Sequence, residues 1–180
     1  MNKFTLFVLA LIFAIASSGQ NFSPVDGSSS VKFKIKNLGI SVSGDFKGIS
    51  GKINFDPNNP DASKFDVSVD AATVNTGIDM RDDHLKGEEY FDVKNYPKIS
   101  FVSTKITQGP KSGNFIAVGN LTIKKVTKEI SIPFKASSQG TDYVFEGEFK
   151  INRRDFEVGG GSLTMSDNLT VNLSVLARKE

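Results

Sequence analysis

An all-β, antiparallel barrel of about eight strands is the fold this sequence predicts. Three observations point to it: apolar residues recur with a period of two along most of the chain, turn-forming clusters separate these runs at short intervals, and no βαβ rhythm interrupts them. A barrel is preferred to an open sheet because so many consecutive strands would otherwise leave unpaired edges.

In order along the chain, residues 1–16 place one charge, Lys3, before an apolar run, and Ser17, Ser18 and Gly19 follow. This is the pattern of a cleaved secretory leader, so residues 1–19 are expected to be removed and residues 20–180 to form one domain in the periplasm or outside the cell. The run is too short for a good transmembrane helix, and none is expected in the mature protein. The chain has no cysteine, so neither disulfides nor a lipid-modified cysteine is expected, and packing with backbone pairing must carry stability.

Val31, Phe33 and Ile35 then alternate with Lys32, Lys34 and Lys36, the signature of a strand with one buried face. The alternation recurs over residues 42–46, 52–55, 65–71, 98–106, 114–123, 128–137, 143–152 and 169–177, nine or ten segments in all with the first. Asp56-Pro57-Asn58-Asn59-Pro60, Gly109-Pro110-Lys111-Ser112-Gly113, Ser138-Gln139-Gly140-Thr141 and Gly159-Gly160-Gly161 mark turns between them. Only residues 77–96 break the alternation, with Met80, His84, Leu85, Tyr90 and Phe91 scattered among charges, which predicts one or two short helical turns.

The formal net charge of +2 is spread over interspersed Lys, Asp and Glu, so nucleic acid is not an expected partner. Catalytic patterns are sparse: one histidine, no GxSxG, no phosphate-cradling loop and no spaced metal ligands. No enzyme activity, metal or cofactor is therefore expected. The nearest approach to an acid/base pair is Asp82 with His84 beside Arg81, for which a loop ion pair or helix cap is the simpler reading. In the strand over 143–152, odd positions share a face, and continuing that parity puts Arg153 on the apolar side, either as a structural ion-pair partner or as a polar anchor for a ligand.

The mature chain holds twelve of the 15 phenylalanines, since Phe4, Phe7 and Phe13 fall in the leader. They could fill a core, which would make the protein a structural or stress-related envelope interaction module, but eight strands is also the size at which a barrel can keep room for one small ligand. The inward candidates are Phe33, Ile35, Ile53, Phe55, Val67, Val69, Ile99, Phe101, Leu121, Phe145, Phe149 and Ile151.

Several ordered motifs give this pattern a family likeness. Ser29-Ser30-Val31-Lys32-Phe33, Gly44-Asp45-Phe46, Arg81-Asp82-Asp83-His84-Leu85, Tyr90-Phe91-Asp92, Tyr96-Pro97, Gly119-Asn120-Leu121-Thr122-Ile123 and Ile151-Asn152-Arg153-Arg154-Asp155-Phe156 follow one another as in the YceI-like family of bacterial lipid- and polyisoprenoid-binding proteins, which the chain resembles. Ser29, Lys125 and Glu157 depart from that family's usual histidine, glycine and glycine. The resemblance implies a lipocalin-like barrel, periplasmic or secreted, that encloses a long isoprenoid or fatty acyl chain, with the twelve inward positions as its wall. A homodimer stays open as the assembly.

Overall fold

The structure is a computed structural model that describes residues 19–180, so the leader expected over residues 1–19 lies outside it except for Gly19. Nine strands form one sheet: β1 (Gln20–Pro24), β2 (Ser30–Asn37), β3 (Ile40–Phe55), β4 (Lys64–Asn75), β5 (Lys98–Gln108), β6 (Asn114–Ile123), β7 (Val126–Gln139), β8 (Asp142–Asn152) and β9 (Met165–Lys179). Among the described residues one α-helix, α1 (Asp79–Lys86), lies between β4 and β5.

Every pairing is antiparallel, and β2 through β9 follow one another round a closed ring in which β9 pairs back onto β2. The ring has eight staves, because β1 continues the stave of β2 rather than adding one. Phe22 of β1 faces Ile53 on β3 and Lys179 on β9, beyond the point where β2 has paired with the same two strands. A 3-10 turn over Asp26–Ser28 breaks this stave. Asp26 Oδ1 accepts from Ile49 N at 2.9 Å, and Ser29 Oγ donates to Val25 O at 2.7 Å, so the break is tied to its neighbours.

One expectation needs correcting: the segments over 42–46 and 52–55 are one strand, the 16-residue β3. Its first half pairs with β2 and its second with β4, and the register with β4 shifts between Asp45 and Ser50. Gly48 at φ +72° and Gly51 at φ +128° make the bend. A Cβ on Gly51 would sit 2.1 Å from Asp66 O, so the two backbones meet there only because the side chain is missing.

The barrel interior changes character along its axis. At the end holding the β3–β4, β5–β6 and β7–β8 connections, Phe22, Phe55, Phe115, Phe134 and Phe145 are all buried. Phe55, 1% exposed, has five aromatic neighbours with ring centroids 5.1 to 6.3 Å away: Phe65, Phe115, Phe134, Tyr143 and Phe145. Most of these pairs are edge-on or tilted, the geometry ring quadrupoles favour. This end is a solid aromatic floor. No helix among the described residues is long and apolar enough to cross a membrane.

Candidate chamber of the barrel

Above the floor the walls separate and enclose a cavity of about 290 Å³. Its wall follows from strand parity. Phe33 and Ile35 pair across to Val171 and Leu169, Val67 and Val69 to Phe101 and Ile99, Phe101 to Leu121, and Phe149 and Ile151 to Val171 and Leu169. Directly paired residues share a face, so all of these point inward. Many of them, including Phe33, Ile35, Val67, Ile99, Phe149 and Ile151, are only half-buried because they face open space rather than one another. The inward stretch of β2 from Val31 to Asn37 sets a depth of about 15 Å, from a rise of about 3.3 Å per residue and a tilt of about 40°.

Of the twelve inward candidates, eleven line this cavity: Phe33, Ile35, Ile53, Val67, Val69, Ile99, Phe101, Leu121, Phe145, Phe149 and Ile151. Phe55 does not, and the correction has a simple cause: it has the right parity but the wrong height, at the centre of the floor. Sequence reasoning passed over Val42, Phe46, Phe65, Met165, Leu169, Val171 and Leu173, which also line the cavity. The alternation on β9 carried the signal for Leu169, Val171 and Leu173. Leu85, Tyr90 and Phe91 line it too, from a segment with no period to read.

That segment, residues 76–97, roofs part of the mouth. Phe91 packs edge-on against Phe46 at 5.3 Å. Glu89 O accepts from Gly159 N at 2.9 Å, and Lys124 Nζ donates to Glu88 O at 2.9 Å, which holds the segment to the far rim. Gly159, at φ +70°, leaves room for Tyr90: a Cβ there would stand 2.8 Å from the ring. Glu157 adopts φ +55° where the family resemblance expected glycine, and its carboxylate pairs with Lys125 at 3.0 Å. Hydrogen bonding to Glu157 and its charge hold the Lys125 ammonium above its ordinary pKa.

Lys32, Ser68, Thr76 and Ser100 border the largely apolar wall, as do Arg153, Arg81 and Asn37. Arg153 is 4% exposed and donates to Ser166 O (3.1 Å), Val158 O and Gly160 O (both 2.9 Å), and Asp167 Oδ1 (2.7 Å). It staples the β8–β9 connection beside the mouth. Arg81 donates from Nε to Thr76 Oγ1 at 2.7 Å and from Nη2 to Thr76 O at 2.9 Å, and among the described residues no carboxylate forms an ion pair with it. Asn37 Oδ1 is buried without a hydrogen-bond partner on the same wall.

Asp82 and His84 each turn to a different partner. The Asp82 carboxylate accepts from Thr76 N at 2.9 Å and from Thr76 Oγ1, fixing the approach to α1. His84 is exposed and packs at a tilt against Tyr90, ring centroids 5.0 Å apart and planes at 60°. Among the described residues no cluster of His, Cys, Asp or Glu is placed to hold a metal ion.

A closed antiparallel barrel with an aromatic floor, a predominantly apolar wall and a partly roofed mouth defines the lipocalin-like class of barrel. The chain belongs to the YceI-like family, whose domain matches residues 24–177. Protein YceI of Salmonella arizonae is 36% identical over 136 residues, 71% of this chain and 70% of that protein. The crystal structure of Burkholderia cenocepacia BcnA superposes with a TM-score of 0.81 at 26% identity, over 85% of this chain and 98% of that one. Campylobacter jejuni YceI gives 0.70 at 31% identity, over 77% and 85%. A domain from Saccharophagus degradans, described as polyisoprenoid-binding and implicated in plant cell wall breakdown, shares the fold at a TM-score of 0.72 and 16% identity, over 88% and 98%.

Proposed function

We propose that this protein is an exported, non-enzymatic binding protein that carries or stores one long apolar molecule in its chamber: a polyisoprenoid, an isoprenoid quinone or a fatty acyl chain. The observation that carries this reading is the wall itself, predominantly apolar with a few polar residues among its lining, and half-exposed to empty space. A chain burying several hundred Å² there gains on the order of 10 kcal/mol gross at about 25 cal/mol per Å², before association costs. The eleven lining candidates supply that contact. Arg81 and Asn37 supply the polar anchor, because both have hydrogen-bonding capacity left over at the cavity wall. The polyisoprenoid-binding description of the Saccharophagus domain supports the cargo class, and the leader-like residues 1–19 support export.

Organic extraction of natively purified protein followed by mass spectrometry tests the cargo. A stoichiometric isoprenoid or acyl compound is expected. Protein that is empty on repeated preparation and takes up no polyprenol or fatty acid in solution would sink the reading.

A further inference from the structure

The large apolar side chains left exposed among the described residues are Leu38, Ile40, Ile78, Met80 and Leu163, each at least 53% exposed. All five stand at the mouth. Leu38 and Ile40 form the β2–β3 hairpin tip, and Leu38 N donates to Thr164 O at 2.8 Å, which puts Leu163 beside that tip. Asn75 pairs with Asp45, so the chain leaves β4 running towards the Ile40 end of β3 before it reaches Ile78 and Met80. The floor end has no counterpart.

Behind the hairpin tip, Lys34 and Lys36 project outward. Their cross-strand neighbours are Ser43, Thr170 and Ser41, none of which is acidic, and neither lysine belongs to an ion pair among the described residues. At about 3.3 Å per residue, Lys36 lies about 7 Å from Leu38 along the strand. With a strand tilt of about 40° this is about 5 Å of depth, at the shallow end of the roughly 5–10 Å to which apolar groups sink into the headgroup and acyl boundary. The acidic groups Glu88, Glu89 and Glu157 lie at the β6–β7 hairpin, four staves away across the ring, and Asp79 and Asp83 stay with α1; Asp167, in the β9 bulge opposite Lys36, is closer, but it is held in an ion pair by Arg153 at 2.7 Å.

We infer that this rim is a membrane-docking surface: Leu38, Ile40 and Leu163 enter the acyl boundary of an anionic bilayer while Lys34 and Lys36 meet its headgroups. The mouth then opens directly onto lipid, and a chain passes into the chamber without crossing water. The inference rests on the reading of the chamber as a cargo site, and it names the surface from which that cargo comes.

The test is co-sedimentation with vesicles of phosphatidylglycerol and phosphatidylcholine, using protein expressed behind its own N-terminal segment and purified as the cell leaves it. The Leu38→Ser/Ile40→Ser/Leu163→Ser variant changes only exposed side chains and should fold. Its partitioning is expected to fall at least about 30-fold. Lys34→Gln/Lys36→Gln should lower partitioning up to about 30-fold on anionic vesicles, at about 1 kcal/mol per lysine, and leave it unchanged on pure phosphatidylcholine. Uptake of a fluorescent fatty acid from solution is measured in parallel and should be retained by both variants. If uptake is absent in every protein while the vesicle results stand, the cargo reading fails and the rim survives. Equal partitioning of wild type and triple variant overturns the inference. So does a wild-type dimer in sedimentation equilibrium that the triple variant dissociates, because a second copy then covers the rim.

Discussion

Phe55→Ala and Phe149→Ala remove the same side chain from two heights of one barrel, and the division into floor and chamber predicts very different costs. Phe55 is 1% exposed and meets five other rings, so its loss opens a new cavity in packed material. Large-to-small changes of that kind cost about 4 kcal/mol. Phe149 is half-buried and already borders empty space, so its removal enlarges an existing cavity. Only part of its surface leaves an apolar environment, and the cost should be about 1–2 kcal/mol. Urea denaturation followed by far-ultraviolet circular dichroism measures both. The proteins must first be stripped of lipid, since a ligand at a hundred times its Kd adds about 2.7 kcal/mol of apparent stability. Costs equal within about 0.5 kcal/mol, or a larger cost at Phe149, would refute the division.

Further expectations concern single side chains. Val67→Trp should obstruct part of the chamber and weaken uptake of a fluorescent fatty acid while changing stability by no more than about 1 kcal/mol, as space for the ring exists. Arg153→Met should lower stability by about 3 kcal/mol, the low end for breaking a buried pair, because Asp167 is 49% exposed and its charge can hydrate; chemical denaturation reads this. His84→Ala should leave fatty acid uptake unchanged, and a loss of uptake would return the Asp82–His84 pair to consideration. Glu157→Gln should bring Lys125 back to its ordinary pKa, seen by NMR titration of the side chain. A raised lysine pKa stabilises the fold fully below the unfolded value, and that small contribution disappears as pH rises through the folded one.

What was legible in the sequence was the direction each side chain takes from its strand. A period of two separates Phe33 from Lys34 without reference to anything distant in the chain. Height along the barrel was not legible, because Phe55 and Phe149 have the same local pattern and differ only in how many rings other strands bring to them. The continuity of β3 was hidden for a related reason: the alternation lapses over residues 47–51, and only the approach of Asp66 and Val67 to Gly51 makes that stretch a bend within one strand. Arg153 was placed on the apolar side by parity, but its partner Asp167 lies 14 residues on, beyond a glycine-rich connection whose path no local pattern sets. Leu85, Tyr90 and Phe91 were visible as apolar residues without a role, since a roof is defined by what lies beneath it.

The aromatic floor also sets how the barrel would judge the length of what it holds. A tube open at both ends lets a chain slide until its ends find balance, but a tube with one end blocked measures from that end only. A chain shorter than the depth leaves void and forfeits contact with each missing unit. A chain longer than the depth clashes with nothing, and the surplus overhangs the rim. Such a ruler imposes a lower limit on length and no upper one, so the exposed remainder of a long chain would stay within reach of whatever next receives it.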